Sequence, residues 1–334
     1  GGHVVPWPWG TLGAREDLAM TQHPHSRALL LLGVLVLPCV VCWSPSRLSA
    51  GCEGRGRLVV SFDLDDTLWP IVPVVSAANK AVEEASGLRG ALVQDEMKLV
   101  RRESHGGDPM SYTHLRKEAL RRLLVAQGHP SSPGTIPHTA EDLFTTWLEE
   151  RNSESEKLVY SDVVPCLASL ADQGALIGAI TNGRGDCSVI PSLAPFVQFQ
   201  VSGEDPGVFP HRKPSPVIFH AAMEKAKALG WSGEPSEWWH VGDCMDNDVT
   251  AAQALGLRTV LLSRPGLDGE NPFSTKPATA APRRGGEIPR RDDDHDDDDD
   301  DGGGGGVAHR TRPDVRLLSL ESLPGLVFDT QRIE

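Results

Sequence analysis

Short apolar runs and longer helical patterns alternate along the body of the chain. "RLVVSF" (57–62), "ALIGAIT" (175–181), "FVQFQVSG" (196–203), "WWHVGD" (238–243) and "LRTVLLS" (257–263) have buried-strand length and many β-branched or aromatic residues. Among them, "DVVPCLASLADQG" (162–174), "SPVIFHAAMEKAKALG" (215–230) and "DVTAAQALG" (248–256) carry helical spacing and end on glycine. Repeated strand–helix–strand units predict an α/β fold, a doubly wound parallel sheet with helices on both faces. Residues 73–160 break the alternation. "SAANKAVEEASG", "VQDEMKLVRRES", "SYTHLRKEALRRLLVAQG" and "AEDLFTTWLEERNSE" all read as helices, so this stretch is expected to be a helical insertion after the first strand. In the third, Leu115, Leu120, Leu123 and Leu124 share an apolar face, and Arg116, Lys117, Arg121 and Arg122 are expected to face elsewhere.

Two segments stand outside the pattern. Residues 266–311 combine Pro and Gly with an aspartate block, Asp292–Asp294 and Asp296–Asp301, and cannot bury enough surface to fold. "DVRLLSLESLPGL" then restores a short strand and helix in 312–334. At the other end, "RALLLLGVLVLPCVVCW" (27–43) is an apolar run headed by Arg27, followed by the small polar "SPSRLSAGC". Residues 1–56 are therefore expected to be a signal-like targeting segment, by secretory entry or to an organelle such as a plastid. Were they instead an upstream extension absent from the mature protein, the protein would be cytoplasmic.

Charge narrows the partners. The net charge is -14, but nine of those negatives lie in the aspartate block, which leaves the folded part only mildly acidic. That argues against a nucleic-acid partner, because phosphate backbones demand a basic face. No second apolar run is long enough to span a membrane. Six cysteines are scattered without a metal-ligand spacing in the body, so neither a disulfide framework nor a zinc site is expected.

The candidate chemistry gathers at strand ends, where open parallel sheets bind ligands. The first strand runs into Asp63-Leu64-Asp65-Asp66-Thr67, the second into Thr181-Asn182-Gly183, and the fourth into Gly242-Asp243 with Asp248 just beyond. Lys213 precedes the helix after the third strand. Taken singly, these are turn, capping and solvated residues. Together, carboxylates crowded within a few ångströms call for a divalent cation, and an oxygen-only donor set favours Mg²⁺ over zinc. Lys213 and the Thr181 hydroxyl would add positive potential and a donor for a phosphoryl group, which makes this a phosphoryl-transfer site. Cys187 and Cys244 lack a neighbouring His base and read as packed residues; His240 reads as a satisfied core histidine.

"DLDDT", "TNG", "KP" and "GDCMDND" follow the order and spacing of the four motifs of the haloacid dehalogenase-like hydrolases, which the chain resembles from residue 57 to about 265 and in its last strand. The resemblance implies a Rossmann-like core in 57–72, 161–265 and 312–334, with 73–160 at the position of the family's C1 cap. It also implies roles. Asp63 would be the nucleophile, forming an aspartyl-phosphate, and Asp65 the acid and then the base. Thr181, Asn182 and Lys213 would bind the phosphoryl group. Asp63, the Asp65 carbonyl and Asp243 would hold Mg²⁺ with Asp248 in support, while Asp66 and Thr67 brace the loop.

An aspartate at position 65 favours a phosphatase over a dehalogenase, which has no leaving oxygen to protonate. A phosphonatase would want a cap lysine, for which Lys80, Lys98 and Lys117 are candidates without a distinguishing feature. A cap over the site favours small soluble phosphate esters. "FDLDDTLW", "AITNG", "HRKPSPVIFHAAMEKA" and "HVGDCMDNDV" are similar to the riboflavin-pathway phosphatases acting on FMN and 5-amino-6-(5-phosphoribitylamino)uracil. The same motifs occur in nucleotide and sugar-phosphate phosphatases. Arg116 is the cap residue that could reach an anionic substrate, although a solvated helix face is the stronger expectation for it. A non-catalytic scaffold, with the aspartate block recruiting basic partners, is the alternative from another class.

Overall fold

The computed structural model describes residues 58–104, 109–128, 139–266 and 312–331. The targeting segment expected in 1–56 and nearly all of the insertion expected in 266–311 lie outside those residues. No helix among the described residues is long and apolar enough to cross a membrane.

Among the described residues six strands form one parallel sheet: β1 (Val59–Phe62), β2 (Leu176–Thr181), β3 (Phe199–Ser202), β4 (Trp238–Gly242), β5 (Arg258–Leu262) and β6 (Val315–Leu317), in the order β3-β2-β1-β4-β5-β6. This is the doubly wound arrangement, and its strand order reverses direction between β1 and β4. Val59 registers with Leu176 on one side and with Trp238 on the other. Every residue of β1, β2 and β4 is buried, because both faces of the sheet are covered. On one face α5 (Val163–Asp172) and α8 (Leu323–Gln331) pack Leu167, Leu170, Leu323 and Val327 against Val60, Phe62 and Ile177. On the other, α6 (Pro216–Ala228) packs Ile218, Phe219 and Ala222 against Val59, Ile180 and Trp238.

Among the described residues between β1 and β2 there are four helices, α1 (Ile71–Ser86), α2 (Gly90–Glu103), α3 (Tyr112–Ala126) and α4 (Ala140–Leu158). They build a separate apolar core from residues such as Val75, Val82, Val93, Leu120 and Leu143. In α1 the buried positions Ile71, Val74, Val75, Ala78 and Val82 fall on one stripe. Gly87 ends that helix in the left-handed region (φ 73°) and donates to the Glu83 carbonyl at 2.7 Å. A capping box at Thr139 and Asp142 starts α4.

Arg264, just past β5, ties distant segments to the loop after β1. Its Nε donates to the Thr67 carbonyl at 2.9 Å, and its guanidinium pairs with buried Asp162 at 3.0 Å. Asp162 in turn accepts from the backbone N–H of Leu320 at 2.7 Å. The last strand and helix are thereby fastened to the loop that carries Asp63 and Asp65.

Candidate active site

The three aspartates of "DLDDT" leave β1 in different directions. Asp66 takes a positive φ of 63° and accepts the N–H of Ile71 at 2.9 Å. It thus starts α1, whose N-cap residue Pro70 makes no side-chain cap. Asp65 accepts from Trp69 Nε1 at 2.9 Å and from Arg151 Nη2 at 2.6 Å, both through Oδ1. Asp63 takes Lys213 Nζ at 2.7 Å on its Oδ1.

Lys213 is buried and has three partners, so the ends of β1 and β2 and the turn after β4 meet through it. Besides Asp63, its ammonium donates to Asp248 Oδ1 at 2.7 Å and to the Ile180 carbonyl at 2.8 Å. Against the cost of desolvation, Asp248 and Asp63 hold it charged, well above the ordinary lysine range. Asp248 likewise resists desolvation and is held far below the usual carboxylate range by Lys213 and His240. Asp248 is fully engaged: its Oδ2 accepts the Cys244 N–H at 3.0 Å, and its Oδ1 also lies 3.3 Å from His240 Nε2. A Cβ on Gly242 would sit 2.3 Å from the Asp248 carboxyl carbon, so glycine is required there for this approach.

A hydrogen-bonded chain continues inward. Trp238 Nε1 donates to Ser61 Oγ at 2.7 Å, and Ser61 Oγ lies 2.9 Å from His240 Nδ1. Indole N–H only donates, so Ser61 Oγ is free to donate a hydrogen bond to an accepting Nδ1, the arrangement in which an Nε2–H faces Asp248. Burial lowers the His240 pKa and keeps the ring neutral. His240 is a satisfied core histidine, as expected, and it also holds a site carboxylate in place.

Thr181 and Asn182 play different parts. The buried Thr181 hydroxyl accepts the Gly183 N–H at 3.1 Å, which leaves its proton to donate outward. The Asn182 side chain pairs in both directions with the Lys213 backbone, at 2.9 and 2.8 Å. Its amide therefore positions Lys213 and keeps one Nδ2 hydrogen free of that pairing. A Cβ on Gly183 would lie 3.2 Å from Asp65 Oδ2, so the small residue leaves room for that carboxylate.

Asp63, Asp243 and Asp248 each place a carboxylate oxygen within 4.8 Å of the others. Burial raises the Asp63 carboxyl to about 7 although Lys213 pulls the other way. Asp243 keeps an outward face exposed, yet desolvation and the charges of Asp248 and Asp63 lift it to about 8. Such crowding fits a divalent cation held by Asp63 and Asp243, with Asp248 behind them anchoring Lys213. The Asp65 carboxylate is not part of the cluster.

A stability test follows from these shifts. In the unfolded chain both carboxyls ionise near pH 4, whereas folded Asp63 and Asp243 keep their protons to about 7 and about 8. From about pH 4 upward the folded protein binds more protons than the unfolded chain, so without a cation its stability falls as pH rises from about 4 and levels off above about 8, the two carboxyls losing their protons between about pH 6.5 and about 8.5. A cation competes for the same oxygens, so its stabilisation grows across that window. Thermal melts in chelator and in Mg²⁺ at both pH values measure this. A cation-induced rise in Tm that is as large at the lower pH would place the cation elsewhere.

A cavity of about 460 Å³ lies between the strand ends and the helical insertion. Asp65, Asn182 and Gly183 line its floor, and Val75, Met97, Phe144 and Trp147 form an apolar wall. Arg116 corrects the sequence expectation of a solvated face. It is 6% exposed, lines this cavity, stacks over Trp147 at 4.0 Å and donates to Asn79 Oδ1 at 3.1 Å. Arg151, which sequence reasoning passed over, is 2% exposed and reaches Asp65 from α4. Its signal is spacing: Trp147, Arg151 and Ser155 continue the buried stripe of α4 at intervals of four.

A family model described as haloacid dehalogenase-like hydrolase matches residues 58–256. Among curated proteins, a phosphoglycolate phosphatase of Pseudomonas fluorescens is 31% identical over 216 residues, 63% of this chain and 71% of the relative. A glyceraldehyde 3-phosphate phosphatase of Methanopyrus kandleri is 28% identical over 61% of this chain and 83% of its own length. The solved structure of a 2-haloacid dehalogenase from Pseudomonas syringae shares the fold, with a TM-score of 0.57 at 23% identity, over 82% of this chain and 98% of that one.

Proposed function

This chain belongs to the haloacid dehalogenase-like hydrolases, and from that membership and the site's geometry we propose that it hydrolyses small phosphate monoesters through an aspartyl-phosphate on Asp63, with Mg²⁺ as cofactor. The observation that carries this is the pairing of two carboxylates in separate settings. Asp63 is held by an ammonium, and Asp65 by Arg151 and Trp69 at the edge of a substrate-sized cavity. A dehalogenase has no leaving oxygen and no use for the second carboxylate as an acid.

Lys213 occupies Asp63 Oδ1, which leaves Oδ2 to attack phosphorus as the bond to the ester oxygen breaks. Asp65 gives its proton to that departing oxygen. It then takes a proton from water, whose oxygen attacks the same phosphorus and releases Asp63 and inorganic phosphate. The Thr181 hydroxyl and Lys213 face the negative charge of the phosphoryl oxygens. Asp63 and Asp243 would hold the divalent cation, which neutralises phosphoryl charge when bound.

The helices α1–α4 act as the cap. The backbone N–H of Thr113 donates to Glu204 at 3.2 Å, the Thr113 hydroxyl donates to the same carboxylate, and Arg212 stacks on Tyr112 at 4.1 Å. These contacts fasten the helical insertion to the loop after β3 and enclose the cavity, a setting for small soluble esters.

The test is turnover of an aryl phosphate by purified protein with Mg²⁺. Hydrolysis that stops in chelator and returns with Mg²⁺ is expected, and no hydrolysis would overturn the proposal. A flavin phosphate, to which the motif resemblance points, belongs in the substrate panel beside short phosphate esters, nucleotides and sugar phosphates. Its uncharged ring would use only the apolar wall of the cavity.

A further inference from the structure

The cavity wall carries far more positive charge than the transferred phosphoryl group needs. Lys98, Arg101, Arg116, Arg151 and Arg184 line it, and Asp65 is the one carboxylate among the described residues that do so. Most of these cations have acidic neighbours on the protein. Lys98 pairs with Asp95 at 2.9 Å, Arg151 with Asp65 at 2.6 Å, and Arg184 lies 3.9 Å from Glu204.

Arg116 differs. Among the described residues it forms no ion pair, although it is 6% exposed. Its one hydrogen bond goes to the neutral amide oxygen of Asn79, which Trp147 Nε1 also uses at 3.0 Å. The indole face at 4.0 Å supplies its other contact. Burial and the neighbouring charge of Arg151 together lower its pKa to about 9. A guanidinium has five donors, and a buried cation without a counter-charge is costly to keep. Fold stability gives no reason for it, since an aliphatic residue beside Leu115, Ala119 and Leu120 would pack there more cheaply.

We propose that Arg116 is the receptor for a second anionic group on the substrate, a carboxylate or a second phosphate carried a few bonds from the reacting ester. The substrates are then short phosphate esters with negative charge at both ends. This rests on the phosphatase proposal above and adds a substrate class to it. The geometry supports the division of labour: Asp65, Asn182 and Gly183 line the cavity from the strand ends, while Arg116 lines it from α3. Arg151, touching Asp65 from α4, stands with the reacting end.

The experiment compares matched pairs: phosphoglycolate against ethyl phosphate for a carboxylate, and propane-1,3-diol bisphosphate against propyl phosphate for a second phosphate. Wild-type kcat/KM is expected to favour the doubly anionic member of at least one pair on the order of 100-fold, as losing one partner of a buried charge pair implies. The pair that shows the preference identifies the group. Arg116→Gln is expected to collapse that ratio to about fivefold or less, and Arg116→Lys to recover part of it through charge without the planar fork. Wild-type ratios near one in both pairs would overturn the proposal without any variant. So would an Arg116→Gln loss that falls equally on both members, since a merely structural role lowers them together. Failure of the phosphatase proposal is separate and visible, as no turnover of any ester.

Discussion

Lys213→Met is expected to abolish phosphatase turnover and to destabilise the fold by about 3–5 kcal/mol, the cost typical of removing one partner from a buried ion cluster. The ammonium is enclosed by Asp63, Asp248 and the Ile180 carbonyl, at 2.7, 2.7 and 2.8 Å. Without it, Asp248 keeps the Cys244 N–H and His240 but loses its counter-charge in a site closed to water. Asp63 would then lose the cation that holds its Oδ1 in place. Turnover should fall at least about 10³-fold, because the lysine both aims the nucleophile and neutralises the phosphoryl group. Adding Asp248→Asn to Lys213→Met removes the stranded charge, so the double variant should recover part of the stability and none of the activity. Denaturant unfolding and aryl phosphate kinetics on the three variants make the comparison. If the single variant unfolds at the wild-type midpoint, Lys213 is not the electrostatic centre of the site.

The same burial explains which parts of this site can be read from the chain and which cannot. Strands covered on both faces are continuous apolar runs, so β1, β2, β4 and β5 announce themselves, and the polar residues that interrupt those runs mark the site. Thr181 and Asp243 stand out for that reason. β3 begins at Phe199, later than its apolar run, because Phe196 and Val197 pack against the core from the preceding turns. The helix expected in 248–256 opens instead as a wide π turn over Met245–Thr250, followed by Ala251–Gln253. That turn brings Asp248 back to the Cys244 N–H, a tertiary requirement that no propensity encodes. Arg116 and Arg151 leave the weakest mark in the sequence. Arginine on a helix is ordinarily solvated, and only packing of the insertion over the strand ends turns these two inward. His240 shows the converse: its burial on an apolar strand is legible, but its partner Asp248 is set by the packing of β4 against the π turn.

Asp63→Asn and Asp65→Asn are expected to fail in different ways, and the difference tests the division of roles. An amide at position 63 cannot attack phosphorus, so every substrate should lose about 10⁴-fold or more in kcat, with no covalent intermediate. An amide at position 65 can still accept from Trp69 Nε1 and Arg151 Nη2, so the loop should keep its shape. What it cannot do is carry a proton. With an aryl phosphate the leaving phenolate departs without help, so Asp63 should still be phosphorylated. Hydrolysis of the aspartyl-phosphate lacks its base and should slow by about 10²- to 10⁴-fold. The expected record is a burst of phenolate near one per active site, followed by slow turnover, in Asp65→Asn alone. With ethyl phosphate, whose alkoxide needs the proton, the burst should vanish because phosphorylation is slow as well. A burst of equal size from both esters would show that the leaving oxygen draws its proton from another group. A burst in Asp63→Asn would move the nucleophile away from the strand end altogether.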